Sequence, residues 1–278
     1  MVDENRHRGF AVDVHPVAEA GVSCWKWTHE DEKGYRMIDP GSLLRSLSGR
    51  ATARNFHSHV INEIGAGVIS GRFPVGSILP NDAALMDEFS VSRTVLREAL
   101  KTLEAKGLVE ARPKVGTKVA KKSRWNLYDP QVLAWCLEAE PDEEFLAGLW
   151  QVRHALEPLA AADAARDRTG DQIRLMHYWL RQMEVALSEP QSFCLADFEL
   201  HRIIAEAASN PFIRALQGVI ELSHALAYRS VIAYELPYDL APVLQSHRAL
   251  VTAIERGLTS DAALAMVETI EYDRLQAL

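Results

Sequence analysis

The 278-residue sequence predicts a mostly α-helical chain: a small domain of helices with one β hairpin, followed by an all-helical bundle. Three observations lead there. Apolar residues recur at helical period through most of the chain after residue 52, and strand-like residues with a turn between them occur only at 108–119. Short linkers built on Pro190, Asn210-Pro211, Pro237 and Gly257 cut the later helices apart. Charge is also divided. Residues 53–122 hold 11 Lys/Arg against 7 Asp/Glu, whereas residues 123–278 hold 12 Arg, no Lys and 23 Asp/Glu. A net charge of −8 would argue against a nucleic-acid partner, but the basic module sits in front of an acidic one and keeps that partner open.

Residues 1–51 carry no sustained period and are expected to form a poorly ordered extension. No apolar run approaches the ~20 residues of a membrane span, so no membrane partner is expected. Cys24, Cys136 and Cys194 are odd in number and widely spaced, which reads as reduced thiols in a cytoplasmic protein.

The basic module spans 52–120. Its first helix, about 52–70, has an apolar stripe of Phe56, Val60, Ile61, Ile64 and Val68. Gly71, Pro74 and Gly76 break the chain, and Leu79-Pro80 leads to a second helix that Asn81 or Asp82 can cap. After the tight turn Ser90-Val91-Ser92 comes a third helix. It has Val95, Leu96, Ala99, Leu100 and Leu103 on one face and Arg93, Thr94, Arg97 and Lys101 on the other. Gly107 stops it, and a hairpin with Arg112-Pro113-Lys114 at its tip follows. A helix with basic residues near its N-terminus beside a Lys/Arg-tipped hairpin predicts a winged helix-turn-helix gripping double-stranded DNA. A solvated amphipathic helix beside a hairpin is the plainer alternative.

The pattern Gly71, Pro74, Gly76, Leu79-Pro80, then Val91-Ser92-Arg93, Arg97-Glu98-Ala99-Leu100, Leu103, Gly107-Leu108-Val109 and Gly116 resembles the DNA-binding domain of the GntR family of bacterial repressors. The resemblance implies Arg93 and Arg97 as the principal DNA contacts, with Thr94 and Lys101 assisting and Lys114, Gly116 and Thr117 forming the wing. The family usually places an Arg where this chain has Ala83. That departure bears on operator preference or affinity.

A linker over 121–129 leads into the bundle, 130–278, with helices expected at about 130–139, 143–169, 171–188, 192–208, 211–233, 240–256 and 260–275. Pro158 should kink the long helix. Asp197 and His201 stand at i and i+4, a spacing that lets two side chains share one metal ion or simply share a hydrogen bond. The segment Asp197-Phe-Glu-Leu-His201, with Ala207, Asn210-Pro211, Ser246-His247-Arg248 and Ala253-Ile254, is similar to the FCD effector domain of one GntR branch. That similarity implies Asp197, His201 and His247 as ligands of a divalent metal, zinc first, nickel or manganese otherwise, within a ligand-binding homodimer. The family's last His falls 22 residues after His247, where this chain has Thr269, a poor zinc ligand.

Arg153 lies among mostly apolar neighbours. It can pair with Glu157 at i+4, or point inward and hold a ligand carboxylate through two hydrogen bonds. The FCD resemblance favours the second role, with Arg229 and His224 as weaker effector-binding candidates on a later apolar helix. The connector Arg124-Trp125-Asn126-Leu127-Tyr128-Asp129 resembles the junction in repressors of hexonate catabolism. The reading that results is a dimeric, non-enzymatic regulator of carbohydrate-acid catabolism, released from DNA by a small carboxylate such as a hexonate. The competing class is a metal-dependent hydrolase or lyase built on Asp197, His201 and His247.

Overall fold

The computed structural model describes residues 56–139, 141–234 and 239–277, so the extension expected over 1–51 lies outside the described residues. The described chain is mostly helical, with a single two-stranded sheet.

Helix α1 (Phe56–Ile69) buries Val60, Ile61, Ile64 and Val68, spaced to make one continuous stripe. In α2 (Asp82–Phe89) the N-cap is Asn81, whose side chain accepts from the Ala84 amide; α3 (Arg93–Ala105) is capped by Ser92 accepting from Val95. Leu85, Phe89, Leu96, Ala99 and Leu103 close the core over α1. Gly107 ends α3 at φ +77, and a Cβ there would stand 2.0 Å from the Arg124 carbonyl oxygen, so no other residue fits. Strands β1 (Val109–Arg112) and β2 (Gly116–Val119) pair antiparallel with Val109 opposite Val119. The Leu79 amide donates to Thr117 and that of Gly76 to Val119, which ties the segment before α2 to the hairpin. Gly116 has a need nearer than contact with DNA: its φ is +116.

A short 3-10 turn (Lys122–Arg124) leads to α4 (Pro130–Glu138), capped by Asp129, which also pairs with Lys106 at 2.6 Å. Helix α4 serves two cores. Val132, Trp135 and Cys136 pack with α1, while Leu133 and Leu137 pack with the helices that follow. Gly65 makes room for this, because a Cβ on it would lie 2.3 Å from the Trp135 ring.

The bundle comprises α5 (Glu143–Asp167), α6 (Gly170–Val185), α7 (Pro190–Ala207), α8 (Pro211–Arg214), α9 (Gln217–Tyr234), α10 (Ala241–Arg256) and α11 (Thr259–Ala277). Helix α5 continues through Pro158 without ending. Its Ala160, Ala161, Ala164 and Ala165 form a small-residue face that joins one core with Met176, Met183, Ile204, Val251, Ile254, Met266 and Ile270. One expectation is corrected. The single helix over 211–233 is two, because the Leu216 amide bonds Ile213 and the Val219 amide bonds Leu216, a tight turn that buries both Ile213 and Leu216. Among the described residues no helix is long and apolar enough to cross a membrane.

Candidate functional site

Two places concentrate polar chemistry. The first is the outer face of α3 and the hairpin tip, where Arg93, Thr94, Arg97 and Lys101 are exposed along one side of the helix. Leu96, Ala99 and Leu103 face inward, so the amphipathic phase decides which residues a partner could reach. Lys101 Nζ pairs with Glu98 at 2.8 Å, which neutralises part of the positive face. Lys114, at φ +63, and Gly116 are exposed at the wing tip, and Thr117 is half-buried behind them. Arg112 and Arg124 both bond Glu110 and stiffen the base of the wing. Ala83 is exposed near the start of α2.

The second place is buried in the bundle. Arg153 from α5, Asp197 and His201 from α7, Ser223 and His224 from α9, His247 from α10, and Thr269 and Asp273 from α11 all lie within the protein, each at most 3% exposed. Charges this deep are stable only when paired or bound to a cation. The Arg153 guanidinium bonds Glu157 through Nε, Asp273 through Nη1 at 2.7 Å and Ser223 through Nη1 at 2.8 Å, with the Trp150 ring beneath it. Burial alone would lower the Arg153 pKa, but Glu157 and Asp273 outweigh it and hold the guanidinium protonated. Burial likewise works to raise Glu157, and Arg153 with His201 keeps its carboxyl far below the usual range.

Next to this pair, imidazoles converge on one carboxylate oxygen. Asp197 Oδ1 lies 2.8 Å from His247 Nε2 and 3.5 Å from each of His201 Nε2 and His224 Nε2. The other ring nitrogens are taken up. His224 Nδ1 donates to the Ile220 carbonyl at 2.9 Å and His247 Nδ1 to Val243 at 2.7 Å, while His201 Nδ1 meets Glu157 at 2.5 Å. A neutral imidazole whose Nδ1–H is engaged offers a lone pair at Nε2. Asp197 Oδ1 and His224 Nε2 are accordingly buried without a hydrogen-bond partner. Lone pairs facing an anionic oxygen require a positive charge between them, which is what a metal site provides. Asp197, His201 and His247 place their donor atoms within 4.8 Å of one another, and so, in a second overlapping set, do His201, His224 and Asp273. Without a cation, protons take its role. Burial would lower His224, but Asp197 and Asp273 raise it to about 9, and Asp197 raises His247 against the same penalty. Asp197 is held well below its usual value by His247 and His224, against burial.

Of the residues singled out from sequence, Arg153, Asp197, His201, His224 and His247 come together here. Arg229 does not: its guanidinium bonds the Leu137 carbonyl at the end of α4, which corrects its expected place at an effector pocket. Thr269 is fully buried, one turn before Asp273 on α11, and its hydroxyl donates to the Met266 carbonyl at 2.8 Å. Sequence reasoning missed Ser223 and Asp273, and it treated Glu157 only as a partner for Arg153. Asp273 did leave a signal, standing one turn after Thr269 on the face that buries Met266 and Ile270.

Comparison with known proteins covers both regions. Residues 56–119 match the family model described as bacterial regulatory proteins, gntR family, and residues 148–272 match that of the FCD domain. The chain is similar to the galactonate operon transcriptional repressor of Escherichia coli strain K12, 30% identical over 217 residues that cover 77% of this chain and 94% of that protein. It is also similar to the HTH-type transcriptional repressor NanR of Citrobacter rodentium, 30% identical over 233 residues, 83% of this chain and 88% of that protein. The solved structure of Lar, which controls expression of the Listeria monocytogenes agr system, shares the fold at a TM-score of 0.55 and 17% identity, covering 82% of this chain and 98% of that chain.

Proposed function

Because the chain belongs to the gntR family of bacterial regulatory proteins, carries an FCD domain and is a DNA-binding transcriptional regulator, we propose that a sugar acid sensed in the bundle sets its hold on operator DNA. The observation that carries this reading is the buried cluster itself: a guanidinium and a set of metal-type ligands at the centre of an otherwise apolar bundle. Polyhydroxy acids suit both halves of it, offering a carboxylate to Arg153 and hydroxyls to a cation. The name of the galactonate operon repressor supports the same class of signal.

On this reading Arg93 and Arg97 reach base edges in the major groove, Thr94 and Lys101 assist, and Lys114, Gly116 and Thr117 lay the wing on the backbone. Two copies act as a homodimer, since one recognition helix reads only a few base pairs. Asp197, His201 and His247 hold a divalent metal, zinc by donor chemistry, with nickel or manganese as the alternatives. When bound, the ion supplies positive charge and a coordination position for an effector oxygen.

Arg153 is already saturated by Glu157 and Asp273, so an effector carboxylate must displace one of them. Glu157 rides on the same helix as Arg153 and also holds His201, whereas Asp273 belongs to α11 and is the partner that can leave. Losing it loosens α11 from α5. Helix α9, which carries Ser223 and His224, also carries Arg229, whose bond to α4 reaches the helix shared with the DNA-reading core. A ligand shifts such an arrangement only by its differential affinity for the two states, and about 1–3 kcal/mol of coupling is a usable switch.

The test is a gel-shift titration with DNA upstream of the protein's own gene, with and without a panel of hexonates. Release of the shifted band by one sugar acid is the expected result. A band that no sugar acid disturbs would overturn the effector class. A metal-dependent hydrolase or lyase, the other chemistry open to Asp197, His201 and His247, finds no support among the relatives, which are regulators.

A further inference from the structure

We propose that an effector reaches Arg153 through the groove between α5 and α11, and that Trp150 is the gate it has to move. This rests on the sensing reading above and concerns how a small hydroxylated acid gets to a guanidinium that lies inside the bundle.

Arg153 is 1% exposed, so no ligand touches it until a wall of the bundle gives way. Trp150, one turn earlier on α5, stands in the right place to be that wall. Its ring centre lies 5.4 Å from the guanidinium carbon, and the same residue lines a groove of about 720 Å3. A space of that size accommodates a small molecule. Ala147 and Ala155 line it with small side chains, and His154, Glu271 and Arg274 supply polar groups.

Trp150 is not fully satisfied where it stands. It is 4% exposed, and its Nε1–H is buried without an acceptor. A buried indole N–H ordinarily finds a partner, and one that does not carries its desolvation cost in full. Turning the ring toward the groove would bring that donor to water or to an oxygen of an arriving ligand. What holds the ring inward is packing with the apolar core of the bundle and the Arg153 cation over its face.

The seam beside Trp150 is also the one that the loss of Asp273 would loosen. Arg153 Nη1 and Asp273 Oδ2 tie α5 to α11 inside, at 2.7 Å, and His154 Nε2 lies 2.8 Å from Glu271 Oε1 at the groove. Arg274 follows Asp273 on α11 and bonds the same Glu271. An entering carboxylate therefore meets donors in sequence: half-exposed Arg274, the unpaired Nε1 of Trp150, then buried Arg153.

The test separates rates from affinity in the full-length protein, with D-galactonate as the probe. Ala155→Trp fills the groove at an exposed position. It should slow galactonate association roughly tenfold or more in stopped flow, and slow dissociation by the same factor. Affinity measured by calorimetry should stay as in the wild type, since a barrier alters both rates and no equilibrium. Trp150→Ala, which removes the gate, should speed both. Rates indifferent to Ala155→Trp would overturn the gate and leave the sensing reading standing. A weaker affinity at an unchanged association rate would also overturn it, making the groove a place where the acid is held. Should galactonate fail to bind the wild type, the rate of zinc uptake by the metal-free protein supplies the same comparison. A wild type that takes up neither would overturn the sensing reading and the gate with it. Ala155→Trp decides the matter even if Trp150→Ala fails to fold.

Discussion

The two cores of this chain are built on opposite principles. The core under α1, α2 and α3 is apolar throughout, and the chemistry of that domain lies outside it on exposed Arg93, Thr94, Arg97 and Lys101. The bundle inverts this: many of its surface charges pair locally, as Arg166 with Asp163 and Arg274 with Glu271, while its centre holds Arg153, Glu157, Asp197, Asp273 and three imidazoles. The difference matches the partners proposed for the two regions. A polyanion as large as DNA must be met on a convex outer face, whereas a small acid can be enclosed and desolvated, where each charge acts more strongly.

Four substitutions or probes would break or sharpen this contrast. The largest effect is expected from Arg153→Met, which leaves Glu157 and Asp273 buried without their cation; unfolding in urea should show a loss of about 3–5 kcal/mol. A loss below about 1 kcal/mol would mean that the bundle's centre does not depend on that charge. Arg97→Ala should do the opposite. Stability should change by no more than about 0.5 kcal/mol, while operator affinity falls by roughly 1–3 kcal/mol with a shallower salt dependence, as read by fluorescence anisotropy at several ionic strengths. Unchanged affinity would remove α3 from the interface.

Arg229→Met tests the link between the regions. It cuts the bond from α9 to the end of α4, so effector-induced release from DNA should weaken by about 0.5–2 kcal/mol while effector-free DNA binding holds. Equal loss of both would make Arg229 a plain stabiliser. The smallest effect concerns the thiols. Burial pushes Cys136 up to about 11 and likewise holds Cys194 well above the usual thiol value. Since a raised thiol pKa keeps the neutral, unreactive form throughout the range below it, both should resist alkylation near pH 8 until denaturant is added. Rapid labelling of the folded protein would contradict this packing.

The helix-turn-helix was legible because its signals are local. Ser92, the phase of Leu96, Ala99 and Leu103, and the stop at Gly107 all lie within one short stretch, and amphipathic phase alone sorts buried residues from exposed ones. In the bundle only the i,i+4 pairs Arg153–Glu157 and Asp197–His201 were visible from spacing, since each sits on one helix one turn apart. His247 came from family resemblance. Helix α9 defeated the reading: every residue from Glu221 to Tyr228 is buried, so it has no polar face to set the phase of its side chains. For that reason His224 and Arg229 looked alike in sequence, although one faces the cluster and the other the end of α4. The split at Leu216 was missed for a related reason, as apolar residues continue across it.

By itself, the sequence determined the helical class, the order of the two regions, the wing and the exposed basic face, because each follows from propensity, capping and periodicity over a few turns. Only the tertiary structure decided that Arg153 is shared between α5 and α11, that α4 belongs to two cores, and that His224, Ser223 and Asp273 join the buried polar cluster. These side chains come from different helices, and what brings them together is the packing of helix on helix, which no local period records.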